Sequence, residues 1–259
     1  QGYIVVVQDV RGRHSSPGKF VPHVYEIADG HDTLEWCNRL DGARDAIGMF
    51  GISYPGFVQL AAAASGHPAL KCIAPGVTSA DTYQWAMKSG LPRLAFVLGW
   101  GLGLAMDEAA RQGTAEDVQR MWEWTLDPTR LYGQMPLLGS PMLNLIQHYM
   151  SFVRDWLTED DRASEYWEKQ RFVPSTVPAF YIAGWYDIWL NETIGLYENQ
   201  QATHENARLL VGPWSHVPWR GSLGPDCDGC AAELSPRINQ LLLQWFDWHL
   251  KGIQPPSWL

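Results

Sequence analysis

The chain has 259 residues, 46% of them apolar and 18% charged, with a formal net charge of -9; this suits one hydrophobic core with an inserted segment and excludes a largely disordered chain. Nucleic acid is not an expected partner, because binding it relies on clustered Lys and Arg that release counterions, and the sequence has no such cluster. No apolar run reaches the roughly 20 residues of a membrane span, and LAFVLGWGLGLAM at 94 to 106 is broken by three glycines, so a soluble, cytoplasmic protein with no membrane partner is expected.

The opening QGYIVVVQDV has no initiator Met, no basic region and no signal-peptide profile, so the true N-terminus is expected to lie elsewhere. Its β-branched run at 3 to 8 predicts a strand buried on both faces of a parallel sheet. A loop rich in Gly, Ser and Pro follows, and then a helix around 26 to 40, with Ile27, Leu34, Cys37 and Leu40 near helical spacing. AIGMFG at 46 to 51 predicts a strand, YPGFVQLAAAASG a helix ended by Gly66, and LKCIAPGV at 70 to 77 another strand. Residues 82 to 170 carry helical patterns and no convincing strand, with Trp85, Trp100, Trp122, Trp124, Trp156 and Trp167 among them. They are expected to form a helical cap over the sheet edge where ligands bind, most of the tryptophans serving as its own core.

Further strands are predicted at 177 to 185 and 207 to 214, separated by a helix around ETIGLYENQQ. A last helix is expected to open at Pro236 and to close with Lys251 and Gly252. The alternation implies an α/β fold, a mostly parallel sheet with helices on both faces. The core is then 1 to 81 and 171 to 259, and the cap 82 to 170. Cys37 and Cys72 look like core thiols, while Cys227 and Cys230 form a lone CxxC, better read as a loop with free thiols or a local disulfide than as a zinc site.

In MFGISYPGF at 49 to 57, glycines two before and three after Ser53 allow a sharp strand-to-helix turn that displays the serine. A hydroxyl is a poor nucleophile until a base removes its proton, and that base needs a carboxylate to fix its tautomer. Asp187 and His216 follow the two later strands, at the carboxyl edge where an open parallel sheet places its ligands. The other seven histidines precede the serine, sit in connecting loops or lie in helical patterns, and are expected to be structural or solvent-exposed. No HExxH, P-loop or dinucleotide fingerprint is present, so neither a metal nor an organic cofactor is expected.

Five ordered motifs, VVVQDVRGRHSSPGKFVPHV, GMFGISYPG, AGWYD, ARLLVGPWSH and FDWHLKG, resemble the bacterial cocaine-esterase-like branch of the X-prolyl dipeptidyl aminopeptidase family of α/β-hydrolases. The resemblance implies an α/β-hydrolase with Ser53 as nucleophile, Asp187 as acid and His216 as base, acting on a small-molecule ester or amide through an acyl-enzyme. Family members also have an earlier strand, whose loop supplies a tyrosine hydroxyl to the oxyanion, and a C-terminal jelly roll. Neither is found here, so a fragment or a shortened relative is expected. The backbone N–H of Tyr54 is then the available oxyanion donor, and loss of a second donor costs about 3 to 4 kcal/mol.

Trp185 and Trp189 flank Asp187 and are candidates to line an apolar acyl pocket. Relatives that hydrolyse α-amino acid esters carry acidic residues just after the catalytic Asp, where this chain has Ile188, Trp189 and Leu190. An ammonium-binding site, and with it the aminopeptidase alternative, is therefore disfavoured. A non-catalytic relative that binds a partner is the other alternative.

Overall fold

The computed structural model describes residues 2–43, 45–173, 176–216, 230–255 and 257, which fall into two units, 1–8 with 23–80 and 172–259, and 9–22 with 81–171. In the first, α1 (Glu26–Asn38) leads into β1 (Ile47–Ile52), α2 (Tyr54–Ala64) and β2 (Leu70–Gly76), and later come β3 (Ala179–Gly184), α3 (Leu190–His204), β4 (Ala207–Gly212) and α4 (Cys230–Lys251). The strands lie in the order β1-β2-β3-β4, every neighbouring pair parallel. Right-handed crossovers that all advance in one direction place their helices on one face. Leu60 and Ala63 of α2 and Leu196 of α3 accordingly pack on Ile73, Tyr181 and Ala207, and Leu34 of α1 joins the same cluster. The other pleat face, with Cys72, Ala74, Phe180 and Ile182, is covered by Ile238, Leu242, Trp245 and Phe246 of α4. This alternation along β2 and β3 is the period of two that a strand buried on both faces imposes.

Residues 3–8 differ from expectation. They form no strand, and Val5 and Val7 are 73% and 91% exposed. A β-branched run favours strand geometry but needs a ladder partner to become one, and among the described residues the sheet ends at β1. The segment is held instead through Tyr3, whose hydroxyl donates to Asp247 at 2.6 Å and whose ring lies 3.7 Å from the Lys251 ammonium. The last helix already includes Cys230, ahead of Pro236, and closes where predicted, with Gly252 at φ 68° donating to the Trp248 carbonyl. Cys72 is buried and its thiol pushed up by burial, Cys37 is partly buried, and Cys227 lies outside the described residues.

The second unit is helical, built on Leu94–Gln112, Ala115–Leu126, Pro141–Tyr149 and Phe152–Thr158, with a short hairpin, Met87–Lys88 against Leu91–Pro92, where no strand was expected. It also takes up residues 9–22, assigned above to the sheet-bearing core. Arg13 of that segment pairs with Asp107 at 2.5 Å and donates to the Leu104 carbonyl. Trp100 stacks on Phe96 and Trp156 at 5.5 and 5.6 Å, and Trp85, Trp156 and Trp167 are almost wholly buried, so these indoles form the unit's core. Trp122 stands apart, half exposed. Of the three glycines in GWGLGLAM, Gly101 is the one that close helix packing requires, since a Cβ there would lie 2.5 Å from Val153. Among the described residues no helix is long and apolar enough to cross a membrane.

Candidate active site

Parallel strands bring all their carboxyl ends to one edge, and the three residues singled out above leave the sheet there, Ser53 after β1, Asp187 after β3 and His216 after β4. Ser53 adopts φ 61° and ψ -123°, a conformation that costs a non-glycine residue about 1 to 3 kcal/mol. Its surroundings enforce it. The Ser53 N–H donates to the Gly76 carbonyl at 2.9 Å, and its own carbonyl accepts from Gly56 and Phe57 at 2.9 and 3.0 Å. A Cβ on Gly51 would lie 2.6 Å from Pro55, and one on Gly56 2.9 Å from the Gly76 oxygen and from Thr78, so both glycines are required by close approach. The buried amide of Gln59 ties the turn together, donating to the Gly51 and Pro55 carbonyls at 3.1 and 2.7 Å and accepting from the Ala74 N–H at 3.0 Å. Beside it Val77 is also forced to positive φ, at 42°. The chain after it is fixed by Thr193, whose hydroxyl accepts from the Thr78 N–H at 3.1 Å and donates to the Thr78 carbonyl at 2.9 Å.

The loops after β3 and β4 remain paired beyond the strands, Trp185 N–H donating to the Gly212 carbonyl at 2.9 Å and Tyr186 N–H to the Trp214 carbonyl at 3.1 Å. Gly184 and Gly212 permit this, because a Cβ on either would run into Trp214. Asp187 and His216 thereby become neighbours: His216 Nδ1 lies 2.7 Å from Asp187 Oδ2, and His216 Nε2 lies 2.8 Å from Ser53 Oγ. A carboxylate only accepts, so Nδ1 carries the hydrogen and Nε2 is left to accept from the serine hydroxyl. The second carboxylate oxygen accepts from the Trp189 N–H at 2.6 Å. The Asp187 side chain is completely buried, while that of His216 is 37% exposed. The arrangement can remove a proton from Ser53 and stabilise the imidazolium that results.

The two tryptophan candidates separate. Trp185 is 59% exposed, and Tyr186 and Ile188, on either side of Asp187 in the chain, are exposed as well. The Trp189 indole is fully buried and does not line an open pocket as expected; the residue meets the site through its backbone N–H, a donor that no side-chain pattern announces. Tyr54 opens α2, and its N–H lies at the helix N-terminus, where developing negative charge is favoured. Its hydroxyl donates to the buried Glu26, a contact absent from the sequence reading. Burial raises the Tyr54 pKa well above the usual phenol range and also raises that of the Glu26 carboxyl, while it holds the His23 imidazole well below its usual range. No group of His, Cys, Asp and Glu suited to a metal ion occurs among the described residues.

Residues 1–218 match the model of the X-Pro dipeptidyl-peptidase (S15) family. The chain is 34% identical over 263 residues to the cocaine esterase of Rhodococcus sp. (strain MB1 Bresler), covering 97% of this chain and 45% of that protein. Among solved structures it is similar to an aminopeptidase from a marine sediment archaeon, Thaumarchaeota archaeon, with a TM-score of 0.72, 19% identity and coverage of 96% of this chain and 44% of that one. A CocE/NonD family hydrolase from Staphylococcus aureus gives a TM-score of 0.61 at 18% identity, with coverage of 96% and 36%. The chain thus spans less than half the length of each of these relatives. The parallel sheet with helices on both faces is the α/β-hydrolase fold.

Proposed function

Because the chain belongs to the X-Pro dipeptidyl-peptidase (S15) family, we propose that it is a serine hydrolase that cleaves carboxylic esters through Ser53, His216 and Asp187. The observation that carries this is the continuous line of hydrogen bonds from Ser53 Oγ through both imidazole nitrogens to Asp187. Ser53 Oγ attacks the ester carbonyl carbon as its proton passes to His216 Nε2. The carbonyl oxygen takes up the negative charge and accepts from the Tyr54 N–H. When the tetrahedral species collapses, the ester C–O bond breaks, His216 returns the proton to the departing alcohol, and an acyl group remains on Ser53. Water, deprotonated by the same imidazole, then releases the acid and restores the serine. Asp187 holds the Nδ1–H tautomer throughout, and its own orientation is set by the Trp189 N–H.

The exposed side chains of Trp185, Tyr186 and Ile188, next to Asp187 in the chain, support an uncharged, bulky acyl or alcohol group beside the triad. The family description favours a second reading, release of X-Pro dipeptides. That chemistry needs a partner for the substrate ammonium, and Ile188, Trp189 and Leu190 supply none. The test compares benzoyl, short-chain acyl and α-aminoacyl esters with an X-Pro anilide on wild type and Ser53→Ala. Turnover of the uncharged esters, abolished in Ser53→Ala, is expected. Preference for aminoacyl esters or the anilide would replace this substrate class with the second reading, and turnover that survives Ser53→Ala would remove the mechanism.

A further inference from the structure

The side chain of Tyr54 ends in a buried polar cluster that the chemistry above does not use. Its hydroxyl donates to Glu26 Oε1, at the first turn of α1, and accepts from the His23 N–H at 3.1 Å. The His23 ring stacks on the phenol with centroids 5.2 Å apart and planes 18° from parallel, and lies 3.9 Å from the Phe57 ring one turn along α2. The phenol is therefore fixed at its tip and across its face. At its other end is the peptide that joins Ser53, in its strained conformation, to Tyr54, and this peptide carries the N–H assigned above to the oxyanion. A strained backbone persists only where its surroundings hold it, and an oxyanion donor acts only if it is aimed before charge develops.

We propose that Glu26 is a positioning residue for hydrolysis: through the Tyr54 hydroxyl it fixes the Ser53–Tyr54 peptide and so the aim of the oxyanion N–H. The inference rests on the hydrolase reading above. Misplacing a catalytic group by an ångström lowers rates by as much as about a hundredfold, and loss of one anchor among several is expected to give about a tenth of that.

Steady-state kinetics with an activated ester test this, run on the full chain well below the melting temperature of each protein. Tyr54→Phe and Glu26→Leu should each lower kcat about tenfold with KM within about twofold, the double variant should be no slower than either single one, and Glu26→Gln, whose amide oxygen accepts the same hydrogen, should recover most of the loss. Tyr54→Phe or Glu26→Leu melting lower while keeping the wild-type kcat would overturn the proposal, leaving the cluster as mere packing between α1 and α2. Tyr54→Phe removes a single oxygen and carries the test alone if Glu26→Leu does not fold. Absence of Ser53-dependent turnover in the wild type would remove the hydrolase reading and this inference together, whereas turnover with unaltered kcat in the variants would remove only the inference.

Discussion

Ser53 is displayed because its neighbours leave it no other conformation, and among them is Gly56. A methyl group there would stand 2.9 Å from the Gly76 carbonyl oxygen and from the Thr78 Cβ, with no flexible side-chain end to yield. Gly56→Ala is expected to destabilise the fold by about 1 to 3 kcal/mol and, by pushing the start of α2 off β2, to lower kcat more than it changes KM. Denaturant unfolding with steady-state kinetics checks this, and an alanine variant equal to wild type in both would show that the turn does not depend on that glycine. At this scale the sequence is legible where a residue's type and its place after a strand coincide: Ser53, Asp187 and His216, singled out on those grounds, are the three that hydrogen bonds join. Gln59 and Glu26 were not legible, since a glutamine within a helix and an acid at a helix start are ordinary surface choices. Only the fold shows that both are buried.

Among elements, β1 to β4 and the helices between them lie close to where hydrophobic periodicity puts them, because strands buried on both faces leave unbroken apolar runs bounded by glycine and proline. The exposed run at residues 3–8 shows the limit of that signal. Composition reports the propensity of a segment and says nothing of its partner, and Ile4, Val5, Val6 and Val7 look as buried in sequence as Phe180 and Ile182, which are. The start of α4 differs from expectation for a related reason: proline is favoured in the first turn of a helix, but in this chain the helix is already under way six residues before Pro236. Residues 9–22 read as a loop of the sheet-bearing unit, and Arg13 and Arg111 bind them to the helical one through Asp107 and the Gly12 carbonyl. Such long-range pairing leaves no local pattern in a single sequence.

Over the whole molecule, imidazoles shielded from water set an acid limit. His23 and His249 are both held below the usual imidazole range by burial, His249 at about 4. Above about pH 6.5 both are neutral whether the chain is folded or not, so the stability they allow is fully present there; below it the unfolded chain binds protons that the fold refuses. Stability should therefore fall as pH drops from about 6.5 towards 4. Glu26, raised by burial, slopes the other way, its contribution being present below about pH 4.5 and lost as pH rises through its folded value. Denaturant unfolding at pH 7.5, 6 and 5 measures the balance. His249→Gln should lose less stability than wild type across that interval, and equal losses would mean that this imidazole does not contribute.

If this chain assembles an activated serine, a fluorophosphonate will modify it, which intact-mass spectrometry of wild type beside Ser53→Ala detects. A single adduct on wild type and none on the variant is predicted, since only a hydroxyl that can pass its proton to His216 displaces fluoride at a useful rate. An unlabelled wild type, or an adduct that persists in Ser53→Ala, would mean that Ser53 is not the activated nucleophile.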